Sequence, residues 1–263
     1  MALDEIARKN QQFWEAEVAK QTGYTRPWLD LKVETVRDYV SGAIEAMPEP
    51  YAYIYPRSVF ENVAGRKVLC LATGGGQQSA VFGLLGADVT VFDLTEGQLA
   101  NDRLAAQRHG YHVRTVQGDM RDLSVFSNDS FDLVYQEISL GYVPDPGQVY
   151  LQVVRVLRPG GVYRVAHCNP ATWSVEDYCW DGTGYAIREP YRGVRDDDPE
   201  GRSAEFHHLL PSIFNGLVTA GLIIESVSED PRHIYHRTDA EPGSYNHMLT
   251  YVAAYFAIVA RKA

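Results

Sequence analysis

The sequence predicts an α/β fold: an open, mostly parallel sheet of seven strands with helices on both faces. Three observations carry that reading. An apolar run of strand length, Val68 to Leu71, is followed by three glycines, Gly74 to Gly76, and a helix-compatible segment over 77–85. A second run, Asp88 to Phe92, ends on an acid, Asp93. Strand and helix patterns then alternate as far as Ala166.

In chain order, residues 3–20 carry Leu3, Ile6, Phe13, Trp14 and Val18 near helical spacing, and predict an amphipathic helix. Gly23 and Pro27 break regular structure, with Tyr24 and Trp28 in the same stretch. A second helix is expected over Leu31 to Glu45, then a Pro-rich turn, Met47 to Pro56, with Tyr51, Tyr53 and Tyr55. After the glycine turn and Asp93 come a helix over Glu96 to Arg108 and strand three over His112 to Gln117. Strand four is Phe131 to Gln136, a helix covers Gly147 to Leu157, and strand five runs from Val162 to Ala166. From His167 to Glu205 the periodicity fails in an aromatic, glycine-rich and then acidic insertion. A helix over Pro211 to Ala220, a strand over Leu222 to Val227 and a last strand over Tyr251 to Ala260 complete the chain.

The 263 residues suit one large domain or one domain with embellishments, and 45% hydrophobic content is ample for a core. A net charge of −10 argues against nucleic acid or an anionic membrane as main partner. The three cysteines, Cys70, Cys168 and Cys179, lack metal-ligand spacing, and their odd number speaks against a disulfide framework. No stretch reaches 18 clean apolar residues and MALDEIARKN lacks a signal peptide's apolar centre, so a cytoplasmic protein is expected. The run Asp196-Asp197-Asp198 reads as a solvated turn, and no metal site is expected.

Glycines at the end of a first strand let a ligand approach the backbone, and the following helix start offers unpaired N–H groups. An acid at the tip of strand two can accept hydrogen bonds from both hydroxyls of a ribose. Together they signal an adenosine-type ligand. The dinucleotide fingerprint would place glycine or alanine where this chain has Ser79, a small residue, so the residues alone leave a nicotinamide cofactor open.

The frame Ala72-x-Gly74-x-Gly76 resembles the first motif of the class I S-adenosylmethionine (SAM) methyltransferases, with Ala72 for the first glycine and Cys70 where an acid often stands. Gly118-Asp119-Met120 after strand three, the fourth strand FDLVYQ, and the turn RVLRPGG before strand five are similar to that family's later landmarks. The string CLATGGGQQSAVFGLLGA further resembles a bacterial group of these enzymes whose acceptor is mostly unassigned. The resemblance implies a Rossmann-like sheet, an N-terminal helical lid over 1–60, a SAM-binding core over 61–263, and a substrate-side insertion over 168–205. It implies that Ala72, Thr73, Gly74, Gly76 and Gln78 surround the methionine part of SAM. Asp93, with Leu94 and Gln98 beside it, would hold the ribose, and Gln98 could also reach the methionine carboxylate. Asp119 would take the adenine amino group and the Met120 N–H the ring, with Gln136 at the end of strand four and Tyr24 from the lid completing the set.

Methyl transfer from a sulfonium is an in-line displacement in which positioning supplies most of the acceleration. A hydroxyl or ammonium acceptor must also lose a proton, ideally to a histidine. His167 at the tip of strand five is the first candidate and His208 the second, while His233, His236 and His247 in the late loop could reach the rim. Glu137 could serve a cationic or amine acceptor. The expected reaction is O- or N-methylation of a small molecule, and 17 tyrosines with four tryptophans hint at a flat or cationic one. A nicotinamide-dependent oxidoreductase, for which no Tyr-x-x-x-Lys pair is present, and a non-catalytic SAM-binding regulator are the alternatives. Monomer and homodimer are both open.

Overall fold

β1 (Lys67–Leu71) shows why the centre of the molecule is a parallel sheet. Every residue after Lys67 is buried, and alternate side chains enter opposite cores. Val68 and Cys70 join one, Leu69 and Leu71 the other. β4 (Phe131–Gln136) repeats the division, with Leu133 and Tyr135 on the first side and Val134 on the second. Burial on both faces is the condition under which a continuous apolar run makes a parallel strand.

The structure is a computed structural model and describes residues 3–195, 200–229 and 240–263. The remaining strands are β2 (Asp88–Asp93), β3 (Val113–Gln117), β5 (Leu157–Cys168), a small pair β6 (Val175–Trp180) and β7 (Tyr185–Ile187), then β8 (Leu222–Glu229) and β9 (Tyr255–Lys262). Seven of them form one sheet in the order β3-β2-β1-β4-β5-β9-β8. β1 to β5 are parallel, and β9 is antiparallel to both of its neighbours. This is the expected Rossmann-like arrangement. Strand order reverses between β1 and β4, which opens a crevice at their carboxyl ends.

α2 (Val33–Ser41), α3 (Gln78–Leu84) and α4 (Glu96–His109) cover the face that takes Val68 and Cys70, through residues such as Val36, Phe82 and Leu99. α5 (Pro146–Val156) and α6 (Leu210–Thr219) cover the other through Val149, Val153, Ile213 and Leu217. α1 (Glu5–Lys20) belongs to neither core. Asp4 caps it by accepting the Ala7 N–H at 2.8 Å, and it lies across the carboxyl ends of the strands. Among the described residues no helix is long and apolar enough to cross a membrane.

Three boundaries differ from expectation by more than two residues. The second helix is shorter than Leu31 to Glu45, because Gly42 turns left-handed at φ +83° and ends it. β5 begins at Leu157 rather than Val162, since Leu157 already pairs with Phe131 and the Arg158 to Gly161 turn is absorbed as a bulge. β9 begins at Tyr255 rather than Tyr251. Its partner β5 ends at Cys168, opposite Tyr255, and the preceding residues form α7 (Tyr245–Met248), capped by Ser244. The insertion forms the β6–β7 pair, which packs with α7 around Met248 and Tyr185. Asp196 to Asp198, His233 and His236 lie outside the described residues.

Gly83 in α3 gives a test of the packing between α3 and the chain after α4. A methyl group there would overlap the Tyr111 ring. Replacing a helical glycine by alanine ordinarily gains about 1 kcal/mol. Here Gly83→Ala is expected to lose about 1–3 kcal/mol in urea unfolding, the usual cost of overpacking. In a Tyr111→Ala background the same change should turn stabilising. A gain in the parent protein would show that the ring yields without cost.

Candidate functional site

The crevice is built from the turns that leave β1, β2, β4 and β5. After β1 the chain turns at once: Ala72 adopts φ +48° while its N–H donates to the Phe92 carbonyl at 2.8 Å. Gly74 follows at φ +87°, where a Cβ would stand 3.1 Å from the Tyr24 carbonyl oxygen. Gly76 faces away from the crevice. Its N–H donates to Asp102 Oδ1 at 2.8 Å, its carbonyl accepts the Trp28 N–H at 2.9 Å, and a Cβ there would lie 2.7 Å from Pro27 Cβ. Gly76 therefore locks the turn against α4 and the N-terminal segment.

A cavity of about 700 Å³ occupies the crevice, within the span of roughly 300–1,000 Å³ common to small-ligand sites. Ala72, Thr73, Gly74 and Gln78 line it from the glycine turn, and Tyr24 from the N-terminal segment. Asp93, Leu94 and Gln98 line it from the end of β2 and the start of α4, Asp119 and Met120 from beyond β3, and Glu137 from beyond β4. Gly76, Gln136, His167 and His208 do not line it.

Asp93 is held by Thr95, whose N–H and hydroxyl both donate to Oδ1, at 2.9 and 2.7 Å. Burial raises its pKa, and the Thr95 bonds pull it back in part. Asp119 is paired on the protein side: Arg121 Nε reaches both of its oxygens at 3.0 Å and Nη2 reaches Oδ2 at 2.5 Å. The same guanidinium holds Asp4 at 2.7 and 3.0 Å. Hydrogen bonding to Arg121 draws the Asp4 pKa down to about 2. Gln136 is fully buried behind the wall. It accepts the Tyr163 hydroxyl at 2.5 Å and donates to Ser139 Oγ at 2.9 Å and to Met120 Sδ at 3.3 Å. It thus positions two lining residues instead of lining the cavity.

The histidines are placed otherwise than expected. His167 is buried on the far side of the sheet edge, with Nε2 3.1 Å from the Tyr150 hydroxyl and its ring stacked on Phe256. Burial pushes its pKa down to about 3. His208 is also lowered by burial, and its Nε2 sits 3.0 Å from the Leu140 carbonyl. Both border a separate small cavity of about 100 Å³. The physical reason is strand alternation: at the tip of β5 it is the next residue, Cys168, that turns into the large cavity. His247 Nδ1 lies 2.7 Å from the Tyr185 hydroxyl, in the aromatic cluster around Trp180.

α1 roofs the cavity with Ala7, Asn10 and Trp14. The Asn10 amide donates to the carbonyls of Tyr142 and Ala204, both at 3.1 Å, and accepts the Ala204 N–H at 2.7 Å. Gln11 donates to the Leu94 carbonyl at 2.8 Å, and Glu15 accepts the Glu96 and Gly97 N–H groups at 2.9 and 3.2 Å, capping α4 from outside. Asn10, Arg121 and Asp102 were not legible as site residues. Only Asp102 carries a sequence signal, an acid three residues from Leu99 and three from Ala105 on a buried helix face.

Thr73 Oγ1, Gln78 Oε1 and Gln98 Oε1 are buried without a hydrogen-bond partner, and all three belong to lining residues. Such acceptors are costly unless a ligand supplies donors. SAM would bring an ammonium group and two ribose hydroxyls, so the residues fit it. Among the described residues no group of three or more His, Cys, Asp or Glu is placed to hold a metal ion.

The methyltransferase-domain family matches residues 69–165. An uncharacterized methyltransferase of Bacillus subtilis, YbaJ, is 30% identical over 238 residues, covering 87% of this chain and 92% of that protein. The ubiquinone biosynthesis O-methyltransferase of Pseudomonas syringae pv. tomato is 38% identical over 69% of this chain and 74% of its own length. In fold, the chain is similar to the crystal structure of a SAM-dependent methyltransferase from Mesorhizobium loti. That likeness has a TM-score of 0.62 and 22% identity, and covers 78% of this chain and 95% of the other.

Asp102 makes the brace under the glycine turn sensitive to pH. Its Oδ1 accepts the Gly76 N–H and, at 2.5 Å, the Ser79 hydroxyl, while Oδ2 is buried without a partner. Burial outweighs those bonds and pushes its pKa from 3.8 up to about 8. The folded protein then keeps a proton that the unfolded chain releases. Its stability contribution is therefore full below about pH 4 and falls as pH rises toward 8, by up to about 1.4 kcal/mol per pH unit. Asp102→Asn retains an acceptor oxygen and should flatten the urea-unfolding profile between pH 5 and 8. Superimposable profiles of the two proteins would remove Asp102 as the source.

Proposed function

The chain belongs to the class I SAM-dependent methyltransferases, with SAM as cofactor, and we propose that it methylates oxygen or nitrogen on a small-molecule acceptor. The observation that carries this reading is that one cavity joins two sets of residues. Thr73, Gln78, Asp93 and Gln98 suit the cofactor, while Glu137, Tyr142, Cys168 and Tyr255 form a second wall that the cofactor motifs do not account for.

In this reading Gln98, Thr73 and Gln78 hold the amino-acid end with their unpartnered oxygens, and Asp93 accepts the ribose hydroxyls. Met120, steadied by Gln136, packs at the adenine end beside Asp119. When bound, SAM supplies a methyl group on a positively charged sulfur. The chain's own contribution is placement. An acceptor held about 3–3.5 Å from that carbon and aligned with it gains most of what the reaction needs. Trp14 and Asn10 roof the cavity from above. Residues 1–60 act as a lid and 168–205 as the substrate side, a division that the Asn10–Ala204 bonds support. His167 and His208 stay outside proton transfer, because burial keeps both neutral and neither reaches the cavity. The O-methyltransferase relative supports oxygen as the atom methylated. The acidic chain and the roofed cavity support a small molecule over nucleic acid as the partner.

The test has two parts. Calorimetry with SAM, S-adenosylhomocysteine and NAD should give binding of the first two only. Asp93→Ala should weaken both by at least about tenfold, since hydrogen bonds to a charged group contribute about 1.5–3 kcal/mol each. Asp93→Asn should fall between. Mass spectrometry of a small-molecule panel incubated with SAM should then find a product heavier by one CH2. Normal SAM affinity in Asp93→Ala would take Asp93 out of the site, and NAD binding without SAM binding would overturn the assignment.

A further inference from the structure

Glu137 is built into the cavity wall more firmly than lining alone requires. Its Oε1 accepts the Tyr135 hydroxyl at 2.7 Å and its Oε2 lies 3.0 Å from Arg164 Nη1. Arg164 is fully buried in β5, cross-strand from Tyr135. Its Nε donates to the Tyr55 carbonyl and its Nη1 to the Gln136 carbonyl, each at 3.0 Å. The guanidinium lies 4.5 Å from the Tyr135 ring centre and 5.0 Å from that of Tyr55. Behind the carboxylate is therefore a fixed cation with little freedom to move. Each carboxylate oxygen has two acceptor positions. The two clamp bonds use one on each, and the rest remain available to the cavity that Glu137 lines.

The charges around that cavity are one-sided. Among the described residues its lining holds four carboxylates, Glu49, Asp93, Asp119 and Glu137, and one cationic side chain, Arg121. Arg121 is engaged by Asp119 and Asp4 and has its guanidinium directed to them. Among the described lining residues no other side chain carries a positive charge with which to seat a carboxylate or phosphate. Asp93 and Asp119 belong to the adenosine end. Glu137 lines the same cavity as Trp14, Tyr53, Tyr142 and Tyr255, and the Trp14 and Tyr142 rings lie 5.5 Å apart, edge to face. Burial raises the pKa of both Tyr142 and Tyr255, so their phenols stay neutral. A cavity that offers aromatic walls and a carboxylate fixed by a buried cation suits an organic cation.

We propose that the acceptor is an amine that enters as its ammonium ion, docks an N–H on Glu137 and is methylated at that nitrogen. This rests on the transferase reading above and narrows it from oxygen or nitrogen to nitrogen. The docked nitrogen gives up one proton to water. Its freed lone pair forms the N–C bond as the methyl's C–S bond breaks, with that bond's pair kept on sulfur. The products are the methylated ammonium ion and S-adenosylhomocysteine. Glu137 accepts an N–H bond before and after transfer, and Arg164 and Tyr135 are positioning residues that fix where it does so.

Three probes share one ring and differ in charge: benzylamine, benzyl alcohol and benzoate. Each is titrated into the full-length protein saturated with S-adenosylhomocysteine, with tryptophan fluorescence as readout. Benzylamine should bind at least about tenfold tighter than benzyl alcohol, with benzoate weakest, as expected for a charge-assisted contact. Glu137→Gln should abolish most of that preference with S-adenosylhomocysteine affinity unchanged. Because that variant leaves Arg164 buried without its counter-ion, Tyr135→Phe is the milder second test, and it should reduce the preference in part. Equal binding of amine and alcohol, tighter binding of benzoate, or a preference that survives in both variants would overturn the proposal. Should S-adenosylhomocysteine bind while the amine preference is missing, only this inference falls. Should S-adenosylhomocysteine itself fail to bind, the transferase reading falls with it.

Discussion

The carboxyl group of Asp102, fully buried beneath the glycine turn, is the constraint on which the rest of the site depends. It ties α4 to the turn through Gly76 and to α3 through Ser79. Gly76 in turn accepts the Trp28 N–H, so the N-terminal segment is seated on the same point. Cys70, where the family pattern often has an acid, is buried at the core between β1 and α3. The acid that braces this turn comes instead from a helix some thirty residues downstream. A turn fixed from behind leaves its front, Thr73 and Gly74, free to face a ligand.

The roof is held differently. Asn10, Gln11, Glu15 and Asp4 tie α1 to the elements below it, each through one to three hydrogen bonds or a partly exposed ion pair. Bonds of this kind contribute about 0.5–1.5 kcal/mol, and exposed ion pairs about 0–1 kcal/mol. None of α1 is stapled into either apolar core. A helix fastened by several small terms can lift at modest cost, whereas the sheet beneath it cannot. In the lid reading proposed above, that contrast places the more loosely fastened element over the cofactor's cavity.

The parallel half of the sheet was legible because double-sided burial demands apolar runs, and because the glycine turn and Asp93 are local features. The final hairpin was legible in kind but not in boundary, since where β9 starts is decided by where β5 stops. His167 was misplaced for a sharper reason. At a strand tip a one-residue difference in register reverses the face, and nothing local distinguishes His167 from Cys168. Only the packing of His167 on Phe256 and Tyr150 decides it. The Asn10–Ala204 and Arg121–Asp4 contacts could not be found from sequence, because their partners lie 194 and 117 residues apart in the chain.

The two ends of the cavity draw on different parts of the sheet, and this division bears on what the enzyme can vary. The end proposed to hold the adenosine comes from the tips of β1 and β2 and the turn after β3, short connections held by buried contacts such as those of Asp102 and Gln136. The other end comes from the loop after β4, the last residue of β5, the first of β9, and Trp14 and Tyr53 from the N-terminal segment. Those segments can change without disturbing the cofactor turn. Glu137 is the exception among them. It is joined to the fully buried Arg164, which itself holds the Tyr55 and Gln136 carbonyls. Losing it would leave an unpaired cation in the interior, a cost that solvent-exposed pairs never carry. The end that the proposal gives to the acceptor is therefore built around one carboxylate that Tyr135 and Arg164 hold in place.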